Sequence, residues 1–378
     1  MLELLYQNWY FRRPALAERI LTLLLDGPGD PIALVGDRRI GKTSHLLFEA
    51  IPAAEKRGLV PVYIDVYQHR ANPLAAINYA LQEAIDDIGV PRSRAGKRLK
   101  TPVKRFGVAS VSLELGEEPS RRRPDDPFLL VDWLLKTLVR AAKKPVLLVF
   151  DEVQELATAA DGENVVSAIR SAITKSKNSV RVVFTGSSQQ KLLELFTRSR
   201  AALYEGASTL PFPRLDDEFI AFIAQCCRER FKKRIAAGEL AEAFARLHYQ
   251  PRALIDLVLV FASRAEESLA ATFDERVRAQ LMGAEYGALW SSLKPLQQRI
   301  CLRIARGEDV TSVAARQEYA LGYKKPEIPP GTVNDALRAM LASHVLIKST
   351  SGRGAYGIDD PLFAEWLNRE SDKLLHSR

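Results

Sequence analysis

One stretch constrains this chain more than any other. Gly36-Asp37-Arg38-Arg39-Ile40-Gly41-Lys42-Thr43 fits the pattern G-x-x-x-x-G-K-[S/T]. Before it, Pro31-Ile32-Ala33-Leu34-Val35 is short and apolar, as a buried strand is. After it, the run from Ser44 to Gly58 has helical spacing. Strand, glycine-rich turn and helix in that order aim backbone N–H groups and the positive end of a helix at one point, which suits a phosphate. The glycines let the backbone curl around the anion. Lys42 is expected to reach the β- and γ-phosphates of a nucleoside triphosphate, and the Thr43 hydroxyl to ligate Mg²⁺. The expected phosphate cradle is Gly36, Asp37, Arg38, Arg39, Ile40, Gly41, Lys42, Thr43 and Ser44. A bare surface Gly-Lys turn is the plain alternative, but it would not explain the strand and helix on either side.

Two further signals follow. Val146-Leu147-Leu148-Val149-Phe150 is an apolar strand ending in Asp151 and Glu152. Asp151 is expected to share the Mg²⁺ with Thr43, because a hard cation takes oxygen ligands. Glu152 is expected to act as general base on the attacking water. Strand-end acids alone are usually just solvated; the phosphate loop upstream gives this pair its chemistry. The third signal, Val183-Phe184-Thr185-Gly186-Ser187-Ser188-Gln189, is a strand ending in small hydroxyl residues. Ser187 is the candidate to touch the γ-phosphate or place the lytic water; the plain reading is a turn.

Around these motifs, strands and helices alternate up to about residue 212, which predicts a parallel sheet covered on both faces. The segment 92–105 interrupts the pattern with seven cations (Arg92, Arg94, Lys97, Arg98, Lys100, Lys104 and Arg105) and no acid. Alternation in 108–115 predicts an amphipathic strand, and 92–123 as a whole reads as a basic insertion. Helices alone are expected over 213–284. Over 285–378, helices followed by a Gly-tipped hairpin predict a winged helix. The expected domains are thus 1–212, 213–284 and 285–378.

Cysteine usage narrows the class further. Cys226, Cys227 and Cys301 form no C-x-x-C pair, which excludes a zinc ribbon or a disulfide framework. The N-terminus lacks the pattern of a secretory signal, and no run of 18 apolar residues occurs. A cytoplasmic protein without membrane contact is expected.

Taken together, GDRRIGKTS, LLVFDEVQEL and VFTGSS resemble the P-loop ATPases of the AAA+ and STAND group, and more narrowly the archaeal-type ATPases called the MNS group. The C-terminal IDDPLFAEWL is similar to that family as well. The resemblance implies an α/β P-loop sheet with a helical lid and a winged helix, ATP and Mg²⁺ as cofactors, and ATP hydrolysis. The family's lid carries Gly-x-Pro or a sensor arginine. Here the segment is His248-Tyr249-Gln250-Pro251-Arg252, so Pro251 and Arg252 match while Tyr249 stands at the glycine. Arg252 is the implied γ-phosphate sensor and Pro251 a nucleotide neighbour. An arginine finger from a neighbouring subunit is also implied, with Arg198, Arg200 and Arg214 as candidates. That implies a homo-oligomeric ring or filament.

The formal net charge of +8 permits nucleic acid but does not establish it. The cations of 92–105 are the better candidate for duplex DNA. The expected recognition helix around Thr332–Leu341 offers Arg338 beside Asp335, and the wing adds Lys348 and Arg353. Two functions therefore stand open: a DNA-associated ATPase that assembles or regulates, and a STAND-type signalling switch, for example in phage defence, whose winged helix meets an unidentified protein partner.

Overall fold

A computed structural model describes residues 8–69, 71–89, 123–157, 159, 161–186, 207–264, 268–282, 284–321, 326–348 and 356–376. The cations of 92–105, the expected strand 108–115, Ser187, Arg198, Arg200 and Arg353 lie outside these residues. The chain divides into two compact units. One comprises Arg13–Val35 and Lys42–Phe212; the other takes Met1–Arg12, Gly36–Gly41 and Pro213–Arg378.

The first unit is built on a five-stranded parallel sheet. Its strands are β1 (Ile32–Val35), β2 (Val60–Asp65), β3 (Val146–Asp151), β4 (Val180–Thr185) and β5 (Ser208–Pro211), in the order β2-β3-β4-β1-β5. The expected parallel α/β sheet is borne out, and β4 lies directly beside β3. All six residues of β3 are buried, because helices cover both faces of such a sheet and a central strand has no solvent side. Phe150 stacks on Phe184 across the β3–β4 pair, with centroids 5.3 Å apart. Of these strands β5 was not anticipated. Its Ser208-Thr209-Leu210-Pro211 shows one buried residue in four, so it lacks a hydrophobic pattern and is held by its ladder to β1.

Helices α1 (Pro14–Leu25), α4 (Pro73–Gly89), α5 (Pro127–Ala142) and α6 (Gly162–Lys175) follow the apolar spacing seen in the sequence. The start of α5 shows the local logic. Asp126 accepts from the N–H groups of Phe128 and Leu129 at 2.8 and 3.0 Å, and Pro127 takes the first helical position, where no N–H is needed. After the phosphate loop the helix is not uniform. It runs as α2 (Lys42–His45), a π-helical turn (Leu46–Ala50) and α3 (Ile51–Lys56). Pro52 has no N–H to donate to Phe48, which interrupts the regular ladder and accounts for the wider turn.

The second unit is helical with one small ribbon. It contains α7 (Asp217–Phe231), α8 (Ala237–Arg246), α9 (Pro251–Ser263), α10 (Leu269–Met282) and α11 (Ala284–Ser292). There follow α12 (Pro295–Ala305), α13 (Val313–Tyr319), α14 (Pro330–Ala342), the antiparallel pair β6 (Leu346–Lys348) and β7 (Tyr356–Ile358), and α15 (Pro361–His376). Its core joins Phe219, Phe244, Phe261, Tyr319, Phe363 and Trp366. Trp9 belongs to this core, stacked on Phe231 at 6.2 Å. Among the described residues no helix is long and apolar enough to cross a membrane.

Phe150 is 2% exposed at the centre of the sheet. Phe150→Ala is expected to destabilise the sheet unit by about 3–5 kcal/mol, through lost burial and the cavity left behind. A chemical denaturation series comparing variant and parent checks this.

Candidate functional site: the acidic end of strand β3 and the phosphate loop

In the sheet unit, the carboxyl end of β3 delivers Asp151 into a nearly closed setting, with 3% of the residue exposed. Two hydroxyls meet its Oδ2. Thr43 Oγ1 donates at 2.7 Å and Tyr63 OH at 2.8 Å. The Glu152 N–H donates to Oδ1 at 3.0 Å. Burial pushes the Asp151 carboxyl up from its ordinary value, and the bonds from Thr43 and Tyr63 oppose that shift. The Tyr63 hydroxyl is pushed strongly upward by burial and by the Asp151 charge, so it stays a donor. Tyr63 reaches Asp151 because β2 and β3 pair in register, with Asp65 opposite Asp151. Asp65 is itself raised, first by burial and then by the neighbouring Asp151 and Glu152 charges.

These residues fit Mg²⁺. A buried carboxylate with two further acids close by favours a cation, and the donors are all oxygens, as a hard divalent ion requires. Thr43 spends its one hydroxyl proton on Asp151, which leaves its lone pairs for the ion. Lys42, one residue earlier, is buried at 6% exposure and opens the same helix.

Glu152 follows Asp151 with φ of +55°. A non-glycine residue in this region costs about 1–2 kcal/mol, and such strain is kept where the surroundings over-determine the backbone. Gln154 Nε2 donates to Glu152 Oε2. Of the third signal, Thr185 is described: it is fully buried at the end of β4, and its hydroxyl has no hydrogen-bond partner among the described residues. Ser187 lies outside them. Ser44 is half-buried beside Thr43.

The same helix is anchored from below. Both Glu49 oxygens accept the Arg13 backbone N–H at 2.8 Å, and Glu49 Oε1 also bonds His45 Nδ1 at 3.1 Å. Burial, and then the Arg13 charge, lower the His45 pKa. The Arg13 guanidinium lies 4.4 Å over the Phe212 ring. The start of α1 is thus tied to the helix that carries Lys42 and Thr43.

The loop Gly36–Gly41 groups with the helical unit, and its side chains show why. Arg38 Nη1 donates to Asp359 Oδ2 at 2.9 Å and lies 3.3 Å from His344 Nδ1. Arg39 Nη1 donates to the Asp359 carbonyl at 3.2 Å, and Arg39 Nη2 reaches Oδ2 at 3.4 Å. Asp37 Oδ2 accepts Arg214 Nε at 2.9 Å and also its Nη2. Ile40 is buried. Arg39 and Gly41 have φ of +62° and +94°, the curl expected of a phosphate loop, half of it borne by a non-glycine residue.

In the helical unit, Pro251 opens α9 and Gln250 before it is buried. Arg252 has a side chain 57% exposed and pairs with Asp256 one turn on, at 3.2 Å. Tyr249, at the expected glycine, has φ of +56°, so the position needs the left-handed conformation that glycine gives easily. The ring is held by Phe244, at a centroid distance of 5.4 Å, and by the Arg214 guanidinium at 5.0 Å. Arg214 is therefore engaged within its own chain. Phe11 packs on Phe219 and Phe222, a core role.

A parallel sheet with a glycine-rich phosphate loop after β1 and an acid pair ending β3 defines a P-loop ATPase. The model of a family described as "ATPase domain predominantly from Archaea" matches residues 10–257, and the chain belongs to that family. Among solved structures, the chain is similar to the Walker-type ATPase PABY2304 of Pyrococcus abyssi, with TM-score 0.60, 17% identity, and coverage of 95% of this chain and 96% of that one. It is also similar to the ORC2 protein of Aeropyrum pernix. The form with ADPNP and ADP gives TM-score 0.53 and 16% identity, covering 96% of this chain and 92% of that one. The ADP form gives 0.52 and 14%, with 98% of each chain covered. No curated protein matches by sequence.

Among the residues at these sites that escaped the sequence reading are Tyr63, Gln154 and Asp359. Tyr63 sits in an ordinary strand pattern two residues before an acid, and the register with β3 is what gives it a partner.

Lys42→Ala is expected to abolish nucleotide binding, measured with a fluorescent nucleotide. Glu152→Gln is expected to retain binding while hydrolysis drops about 10²- to 10⁴-fold; turnover at the parent rate would refute the base assignment. Tyr63→Phe removes one of the two hydroxyls that fix Asp151. The Mg²⁺ concentration for half-maximal ATPase activity is expected to rise about tenfold, read from a Mg²⁺ titration.

Proposed function

We propose that this ATPase works as a nucleotide-dependent switch, in which the γ-phosphate and Asp359 compete for the arginines of the phosphate loop. The observation that carries this reading is the contact of Arg38 and Arg39 with Asp359, whose side chain is only 7% exposed. Asp359 lies between β7 and α15, in the segment resembling the family's C-terminal motif. On this reading Gly36, Asp37, Ile40, Gly41 and Ser44 line the phosphates, and Lys42 bridges their oxygens. Thr43 and Asp151 hold Mg²⁺, Glu152 takes the proton of the attacking water, and Ser187 assists at the γ-phosphate. Arg252 and Pro251 belong to the lid at 213–284, and Arg252 would exchange Asp256 for phosphate. The segment 285–378 acts as a winged helix that changes partner when Asp359 is displaced.

A carboxylate cannot share two guanidinium groups with a triphosphate without loss to one of them, so binding and release are reciprocally linked. Asp359→Asn is expected to tighten ATP binding about fivefold and to remove the ATP-dependent change in the limited-proteolysis pattern of the C-terminal region. Unchanged affinity together with an unchanged proteolysis pattern would overturn the switch.

The cations of 92–105 support a second reading, in which the switch operates on duplex DNA as a self-assembling homo-oligomer. The wing side adds little, because Arg338 pairs with Asp335 at 3.4 Å. With Arg214 bound to Asp37, Arg198 and Arg200 are the better candidates for a finger given to a neighbouring subunit. Duplex binding with ATP is expected to weaken steeply as salt rises; no binding at low salt would remove this reading.

A further inference from the structure

Behind the acid pair, Gln154 lies on the turn that follows β3, 2% exposed. Its Nε2 donates to Glu152 Oε2. The other end of the same carboxamide lies against Gly186, the residue directly after β4: a Cβ built on Gly186 would overlap Gln154 Oε1. One buried side chain therefore touches both the carboxylate beside Asp151 and the tip of the neighbouring strand. The contact is local to the sheet, since β3 and β4 pair from Val146↔Val180 to Phe150↔Phe184. Glu152 itself is held in a left-handed backbone conformation, which fixes where its side chain leaves the strand.

We infer that Gln154 is a positioning residue for the base. Its carboxamide sets the Glu152 carboxylate, and Gly186 is glycine because any larger residue would push that carboxamide away. The end of β4 thereby governs where the base stands, so a movement there on nucleotide binding would be felt at Glu152 through a single side chain. A buried amide can do this without a charge of its own. It offers an N–H to the carboxylate and neither takes up nor releases a proton itself. The inference rests on the reading of Glu152 as the base, and the experiment keeps the two apart.

Gln154→Met retains shape and burial but removes the donor. Its kcat for ATP is expected to fall about 10- to 100-fold, with KM and the affinity for a non-hydrolysable ATP analogue within twofold of the parent. Gly186→Ala, which leaves both Gln154 and Glu152 in place chemically, is expected to reproduce the kcat loss. In a Glu152→Gln background, Gln154→Met is expected to cause no further loss in single-turnover rate, because the group it positions is already gone. A parent-like kcat for Gln154→Met, with Glu152→Gln inactive, would overturn the inference and leave the base assignment standing. Equal further losses in the Glu152→Gln background, or a parallel loss of nucleotide affinity, would reduce Gln154 to a packing residue and likewise overturn it. Parent-like turnover of Glu152→Gln would overturn the base assignment itself.

Discussion

The sheet unit places one carboxylate where water barely reaches. Asp151 is buried at the end of a strand whose other residues are all apolar and buried. A carboxylate in that setting either takes up a proton or gathers compensation. Here Thr43 and Tyr63 meet one oxygen and the Glu152 N–H the other. Each donor comes from a different part of the chain: the helix after the phosphate loop, the edge strand β2, and the residue directly after β3. The parallel register of β2 on β3 and the emergence of α2 directly after the loop are both needed for them to meet. Asp65 and Glu152 add negative charge close by, so two hydroxyl donors do not neutralise the cluster. A divalent cation held by Thr43 and Asp151, as proposed, would complete it.

Much of this was legible because the motifs are local. The loop spacing Gly36 to Thr43, the apolar run ending in Asp151-Glu152 and the alternation of strand and helix each follow from residues near in sequence. The parallel sheet and the main helices appear where periodicity placed them. What could not be read depends on pairing between distant segments. Tyr63 looks like any aromatic strand residue until β2 is laid beside β3. Gln154 looks like a solvated turn residue until Gly186 is set against it. Asp359 is one of two adjacent acids in a C-terminal motif, and nothing local says that arginines more than 300 positions earlier will reach it. The short strand β5 failed for a different reason: Ser208-Thr209-Leu210-Pro211 has almost no hydrophobic signal, and its ladder to β1 alone makes it a strand.

Strain is distributed in the same way. Arg39, Glu152, His248 and Tyr249 all have positive φ without being glycine. Lys143 and Lys232 also do so, but they sit at helix C-termini, where a left-handed residue is ordinary. His248 is the same case: it follows the C-terminus of α8, with its N–H on the Ala245 carbonyl and the Tyr249 N–H on the Phe244 carbonyl. Arg39, Glu152 and Tyr249 lie in the phosphate loop, directly after β3, and in the segment that enters α9. Each is held by specific partners: Arg39 by Asp359, Glu152 by Gln154, and Tyr249 by Phe244 and Arg214.

The contact of Arg39 with Asp359 bears on the proposed switch. Asp359 pairs with both Arg38 and Arg39 in the helical unit, with its own side chain nearly buried. A triphosphate offers the same guanidinium groups a larger charge and more acceptor atoms, so it is the stronger competitor once bound. In the proposed switch, hydrolysis and loss of the γ-phosphate would reduce that advantage and return the arginines to Asp359. The direction of the cycle then follows from the number of phosphates alone, without any change in the loop's residues. Linkage requires that whatever stabilises the Asp359 contact also weakens nucleotide binding by the same factor. On the proposed switch, a partner on the C-terminal segment would tune ATP affinity through Arg38 and Arg39, the two loop residues that Asp359 holds.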